Sequence, residues 1–164
     1  MRIPFPAIAA FPAVAAVSVL VALGACDFPG GGSDGGGTIA GSDSARVACV
    51  DRINAFRATE SLPPLKRWTE AEDCSDGEAK SDGISGKAHG AFGTCNEWAQ
   101  NECPAWGSVQ STITGCLQSM WDERLKPTGE QGHYKSMSST KYTQVACGFS
   151  VTVAGKVWAV QNFK

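Results

Sequence analysis

Histidine occurs twice in this sequence, as His89 in Lys87-Ala88-His89-Gly90 and as His133 in Gly132-His133-Tyr134. Both sit in glycine-flanked segments beside irregular chain. An imidazole titrates near neutral pH and offers a nitrogen to a metal ion or a proton. A third candidate comes from periodicity. With about 100° per residue and Cys116 at zero, Val109 projects at about 20°, Met120 at about 40° and Ile113 at about 60°. Glu123 projects at about −20°, inside that apolar stripe, while Asp122 points toward solvent. A carboxylate on an inward face is costly unless a histidine, a metal ion or backbone donors compensate it. The plainer alternative is a glutamate at a fraying helix end, reaching water. Two imidazoles and an inward carboxylate are the groups that bind zinc or exchange protons.

These residues need a scaffold. Ser44 to Ala58 carries Val47, Val50, Ile53, Ala55 and Phe56 at helical spacing, with Asp43 or Ser44 available as cap. Ser61-Leu62-Pro63-Pro64-Leu65 stops that helix. A second helix, Thr69 to Asp82, has acidic residues in its first turn, as the helix dipole prefers. Residues 83–107 are rich in Gly, Asn and Pro and read as irregular chain with at most a short strand. Val109 to Leu125 reads as a third helix and His133 to Met137 as a short fourth. VACGFSVTV, a turn at Ala154-Gly155 and KVWAVQNF then form a terminal hairpin. Helices first and a hairpin last predict an α+β layered domain.

Ahead of this domain lie two segments of other kinds. Residues 1–25 read as an export signal: Arg2 supplies a positive start, and Ala7 to Leu23 carries no charge. The run ends Leu23-Gly24-Ala25-Cys26, which resembles a bacterial lipobox and implies lipidation of Cys26. Phe28 to Ser42 has seven glycines in fifteen residues. Residues 26–42 thus read as a lipidated cysteine and flexible tether, with the folded domain at 43–164. Assigning Cys26 to lipid leaves six of the seven cysteines, an even set that in an exported protein implies up to three disulfides. Six cysteines allow fifteen connectivities. A local Cys95–Cys103 loop is one expectation, with Cys49–Cys74 and Cys116–Cys147 completing one arrangement among several. No CxxC pair is present, which argues against a thiolate zinc site. The 14 basic and 16 acidic residues form no basic cluster, so nucleic acid is excluded as a partner.

At this point the residues resemble a known family. Asn54-x-x-Arg57 followed by SLPPLKRW (Ser61 to Trp68) is similar to the first-helix signature of the CAP superfamily (SCP-like, cysteine-rich secretory), with Ser61 in place of a glycine. GHYKSMSSTKYTQVACGF (Gly132 to Phe149) resembles the family's G-H-Y-x-x-M…Y-x-x-V-G-C-G-F signature, with Ala146 in place of another glycine. KVWAVQNF is similar to its closing strand. The resemblance spans residues 46–164 and implies a disulfide-reinforced, three-layer α-β-α sandwich. It also implies a cleft lined by two histidines and two acids. His133 matches the histidine of G-H-Y, and His89 is the candidate for the first histidine. Cys95-Asn96-Glu97-Trp98 stands where the family has G-E-N, which nominates Glu97. Gln118 to Glu123 resembles its S-W-Y-x-E helix, which nominates Glu123, the residue the projection had turned inward. His89, Glu97, Glu123 and His133 are therefore the expected metal set, with zinc the expected ion.

No serine lies in a recognisable nucleophile motif, so the reading favours a binding module over an enzyme. The expected protein is exported, sits in the cell envelope, is tethered to a membrane through Cys26, and takes a lipid, sterol or cell-envelope ligand. A metal- or tetrad-dependent hydrolase of peptide or cell-wall material is the first alternative, and a purely structural domain the second.

Overall fold

The computed structural model describes residues 42–164. The signal segment, Cys26 and nearly all of the tether lie outside the described residues. α1 (Ser42–Thr59) is followed by a two-residue β1 (Lys66–Arg67), a short 3-10 turn and α2 (Glu72–Ser85). β2 (Ala99–Trp106) leads to α3 (Val109–Ser111), a π-helical stretch (Thr112–Cys116) and α4 (Leu117–Trp121). A 3-10 turn (Asp122–Leu125), α5 (Gly132–Ser138), β3 (Gln144–Val151) and β4 (Val157–Phe163) complete the chain. The sheet order is β1-β3-β4-β2, with β1 parallel to β3 and the other pairs antiparallel. No helix among the described residues is long and apolar enough to cross a membrane.

Strand alternation sorts the sheet into two faces. Cys103, Val145, Cys147, Phe149, Ala159 and Phe163 belong to the main core, which they share with Ile53 and Phe56 of α1 and Leu117, Met120 and Trp121 of α4. The opposite face packs on α2 and carries a smaller apolar cluster of Ala79, Trp158 and Val160. This is the expected α-β-α sandwich. α2 reaches the sheet because Gly148 has no side chain: a Cβ there would lie 2.1 Å from the carbonyl carbon of Ser75. Phe149 N then donates to Asp76 Oδ1 at 2.7 Å, locking helix to strand.

The N-x-x-R signature has a mechanical explanation. Asn54 exchanges two hydrogen bonds with the backbone of Leu65, at 2.9 and 2.8 Å. Arg57, only 1% exposed, donates to the carbonyls of Pro63, Met137 and Ser139. Burial lowers its pKa, yet guanidinium remains charged and satisfies three acceptors at once. α1 thereby positions both the proline-rich turn and the end of α5.

The disulfides are Cys49–Cys147, Cys74–Cys95 and Cys103–Cys116, so the expected Cys95–Cys103, Cys49–Cys74 and Cys116–Cys147 pairings are all corrected. The sheet rules out two of them, and the third fails because Cys116 is joined to Cys103 and Cys147 to Cys49 within the same core. Cys49 and Cys103 lie in the core on one face, whereas Cys74 and Cys95 are joined on the α2 side. Both Cys95–Cys103 and Cys49–Cys74 would have to pass through the sheet. A second correction concerns residues 83–107, which contain the eight-residue β2. Its polar sequence hides the alternation, and a bulge between Cys103 and Trp106 interrupts its pairing with β4. The third helix is also interrupted, by the π stretch, although Ile113, Cys116, Met120 and Glu123 share the buried face that the projection gave them.

Candidate functional site

Glu123 and His133 meet. Glu123 ends the α4 helical run inside a 3-10 turn, and His133 opens α5. His133 Nδ1 lies 2.8 Å from Glu123 Oε1, and the backbone N–H groups of His133 and Tyr134 reach Glu123 Oε2 at 2.9 and 3.4 Å. The inward carboxylate is thus compensated by a histidine and by backbone donors, two of the three solutions that its position called for. Phe56 stacks on Trp121 at 5.4 Å between ring centres, and Tyr134 meets Trp121 edge-on at 5.1 Å. This aromatic row fixes α5 against α4. The carboxylate holds Nδ1, so Nε2 is the nitrogen left to meet a ligand. The His133 side chain is 38% exposed.

Burial acts to raise the Glu123 pKa, but hydrogen bonds and charge from His133 outweigh it and hold the carboxyl below its usual 4.5. A depressed carboxylate stabilises the fold above the unfolded-state value and loses that contribution as pH falls through the folded value. The melting temperature of Glu123→Gln should therefore fall furthest below that of the native chain near neutral pH. The gap should close as pH drops below about 4.5, as thermal unfolding between about pH 7 and about pH 3 will read.

The other two expected site residues have different partners. His89 lies in the left-handed region at φ 58°. Its Nδ1 is 2.9 Å from Gln100 Oε1, and its backbone N–H donates to Glu102. His133, by contrast, accepts at its backbone carbonyl from Asn101 Nδ2 at 3.0 Å. Gln100 and Asn101 are successive residues of β2, so the two histidines attach to opposite faces of that strand. Glu97 folds back on its own loop, accepting from the backbone N–H groups of Gly93 and Cys95.

Glu97 also faces Glu78, a residue that no sequence motif singles out. Glu78, Cys95 and Glu97 bring their ligand-type atoms within 4.8 Å of one another, a group that could hold a metal ion. Cys95 sulfur is committed to Cys74, so only the two carboxylates could serve as ligands. Zinc wants three or four nitrogen, sulfur or oxygen ligands. One imidazole beside one carboxylate at His133, and two carboxylates at Glu78, do not make such a set. The residues fit zinc poorly. A readable signal for Glu78 did exist: Ser75, Glu78, Ala79 and Asp82 have helical spacing and are all buried, in a helix with almost no apolar stripe.

The model of the cysteine-rich secretory protein family, CAP, matches residues 50–163. An outer surface protein from Borrelia burgdorferi has a similar structure, with a TM-score of 0.56 and 13% identity over 79% of this chain and 98% of that one. The Schistosoma mansoni venom allergen-like protein 4 gives a TM-score of 0.48 and 14% identity over 73% of this chain and 86% of that one. No curated protein sequence matches the chain.

Proposed function

The chain belongs to the CAP family of cysteine-rich secretory proteins, and from that premise we propose that it is an exported binding protein. It is tethered by lipidated Cys26 and presents the Glu123–His133 pair to a lipid or cell-envelope ligand. The observation that carries this reading is the hydrogen bond from the His133 ring to Glu123 at 2.8 Å. It orients the imidazole and leaves Nε2 to accept from a ligand hydroxyl, such as that of a sterol or a glycan sugar. The outer-surface description of the Borrelia relative supports a surface location.

The test uses two probes, cholesterol in detergent micelles and soluble muropeptides, with the full-length chain. At least one should bind, and Glu123→Gln and His133→Ala should each weaken it tenfold or more, the loss expected for one charge-assisted hydrogen bond. Binding of neither probe, or binding indifferent to both substitutions, would reject the proposal.

A further inference from the structure

The α2 face of the sheet holds an unbalanced charge. Glu78, Asp82, Glu97 and Glu102 are all buried there, and among the described residues no lysine or arginine pairs with any of them. Higher on the same helix the pattern differs, since Arg46 pairs with Glu72, Asp73 and Asp76, and Arg67 also pairs with Glu72. Glu78 accepts from Thr94, Gln100 and Asn162, and Glu102 accepts from Trp158 Nε1 and His89 N. Asp82 has nothing. It is 1% exposed, and neither of its carboxylate oxygens has a hydrogen-bond partner. A buried carboxylate without donors is a costly arrangement that calls for a compensating group.

Asp82 Oδ1 and the Lys87 carbonyl oxygen converge on a niche against Gly90. The position a Cβ would take at Gly90 lies 2.9 Å from Asp82 Oδ1 and 3.1 Å from the Lys87 carbonyl oxygen. Gly90 itself is exposed, so the niche has a route to solvent. Glu102 is near enough for the Asp82 charge to act on it, and its Oε2 is 3.7 Å from His89 Nδ1. Two carboxylates and a backbone carbonyl form an all-oxygen donor set, the preference of hard cations rather than of zinc.

We propose that Asp82, Glu102 and the Lys87 carbonyl form a site for a hard divalent cation, closed over by the His89-Gly90 turn. The niche lies on the face of β2 opposite Asn101, whose side chain contacts His133. It neither uses nor depends on the Glu123–His133 pair. The cation neutralises the orphaned carboxylate and ties the C-terminal half of α2 to the 87–90 turn and to β2.

Calcium is the probe, added to the full-length chain after chelation. The melting temperature should rise by roughly 5–10 °C at calcium a hundredfold above Kd. Terbium bound at the site should show luminescence sensitised through Trp158, whose indole donates to Glu102. Asp82→Asn should abolish both effects. Gly90→Ala should abolish them too while keeping both carboxylates in the chain, because its methyl would crowd Asp82 Oδ1 and the Lys87 carbonyl oxygen apart. His133→Ala should retain both, which separates this site from the binding pair. Absence of any calcium effect on the native chain would overturn the proposal. So would an effect that survives Asp82→Asn and Gly90→Ala.

Discussion

Replacing Cys49 and Cys147 together by alanine is expected to destabilise the fold by about 4–5 kcal/mol, the largest loss of any disulfide in the molecule. The bridge spans 98 residues, against 21 for Cys74–Cys95 and 13 for Cys103–Cys116. Loop-closure entropy grows with the logarithm of that span, so the two shorter bridges should each contribute about 3 kcal/mol. Cys49 and Cys147 are also almost fully buried in the main core, where α1 meets β3. Truncating them therefore removes packed sulfur as well as the cross-link. Urea unfolding of the three double-alanine variants will rank them. If the Cys49/Cys147 variant is not the least stable, chain entropy is not the dominant contribution of these bridges.

Gly148→Ala should be nearly as damaging, at about 3 kcal/mol or more. Its Cβ would lie 2.1 Å from the Ser75 carbonyl carbon, 2.4 Å from Ser75 O and 2.5 Å from Asp76 N. All three are backbone atoms of α2, which cannot rotate aside as a side chain would. The helix has to lift, and the bond from Phe149 N to Asp76 Oδ1 is lost with it. Hydrogen exchange at Phe149 should accelerate together with the fall in thermal stability. Gly77→Ala is the matched control in the same helix. Nothing lies within 4 Å of its added methyl, so it should stabilise by about 0.5–1 kcal/mol through helix propensity. Equal behaviour of the two variants would show that α2 does not rest on Gly148.

Much of this architecture was legible in the sequence. α1, the α5 turn and the closing hairpin follow from apolar periodicity, and the inward Glu123 from a helical projection that the π stretch did not upset. The disulfide partners were not legible, because spacing along the chain says nothing about which face of a sheet a cysteine occupies. β2 escaped for a related reason. Gln100, Asn101 and Glu102 are buried by hydrogen-bonded networks rather than by apolar contact, so hydrophobic alternation never marks them. The same holds on α2, where Glu78 and Asp82 are buried on the inner face of a helix with almost no apolar stripe to mark it. His89 and Glu97 were nominated by scarcity and by resemblance. Neither criterion contains the local geometry that brings His89 to Gln100 and folds Glu97 back on its own loop.

The sheet's two margins carry one more consequence. An exposed strand margin is a template onto which a neighbouring molecule can add, and chains crowded side by side are prone to such growth. On one side the margin is β1, only two residues long, and beyond it β3, whose Phe149 N–H is already taken by Asp76 of α2. On the other it is β2, broken by its bulge at Cys103–Trp106 and containing Pro104, which has no N–H to donate. Neither margin offers a long unbroken row of donors and acceptors, so copies of this domain can be packed densely without polymerising through their strands.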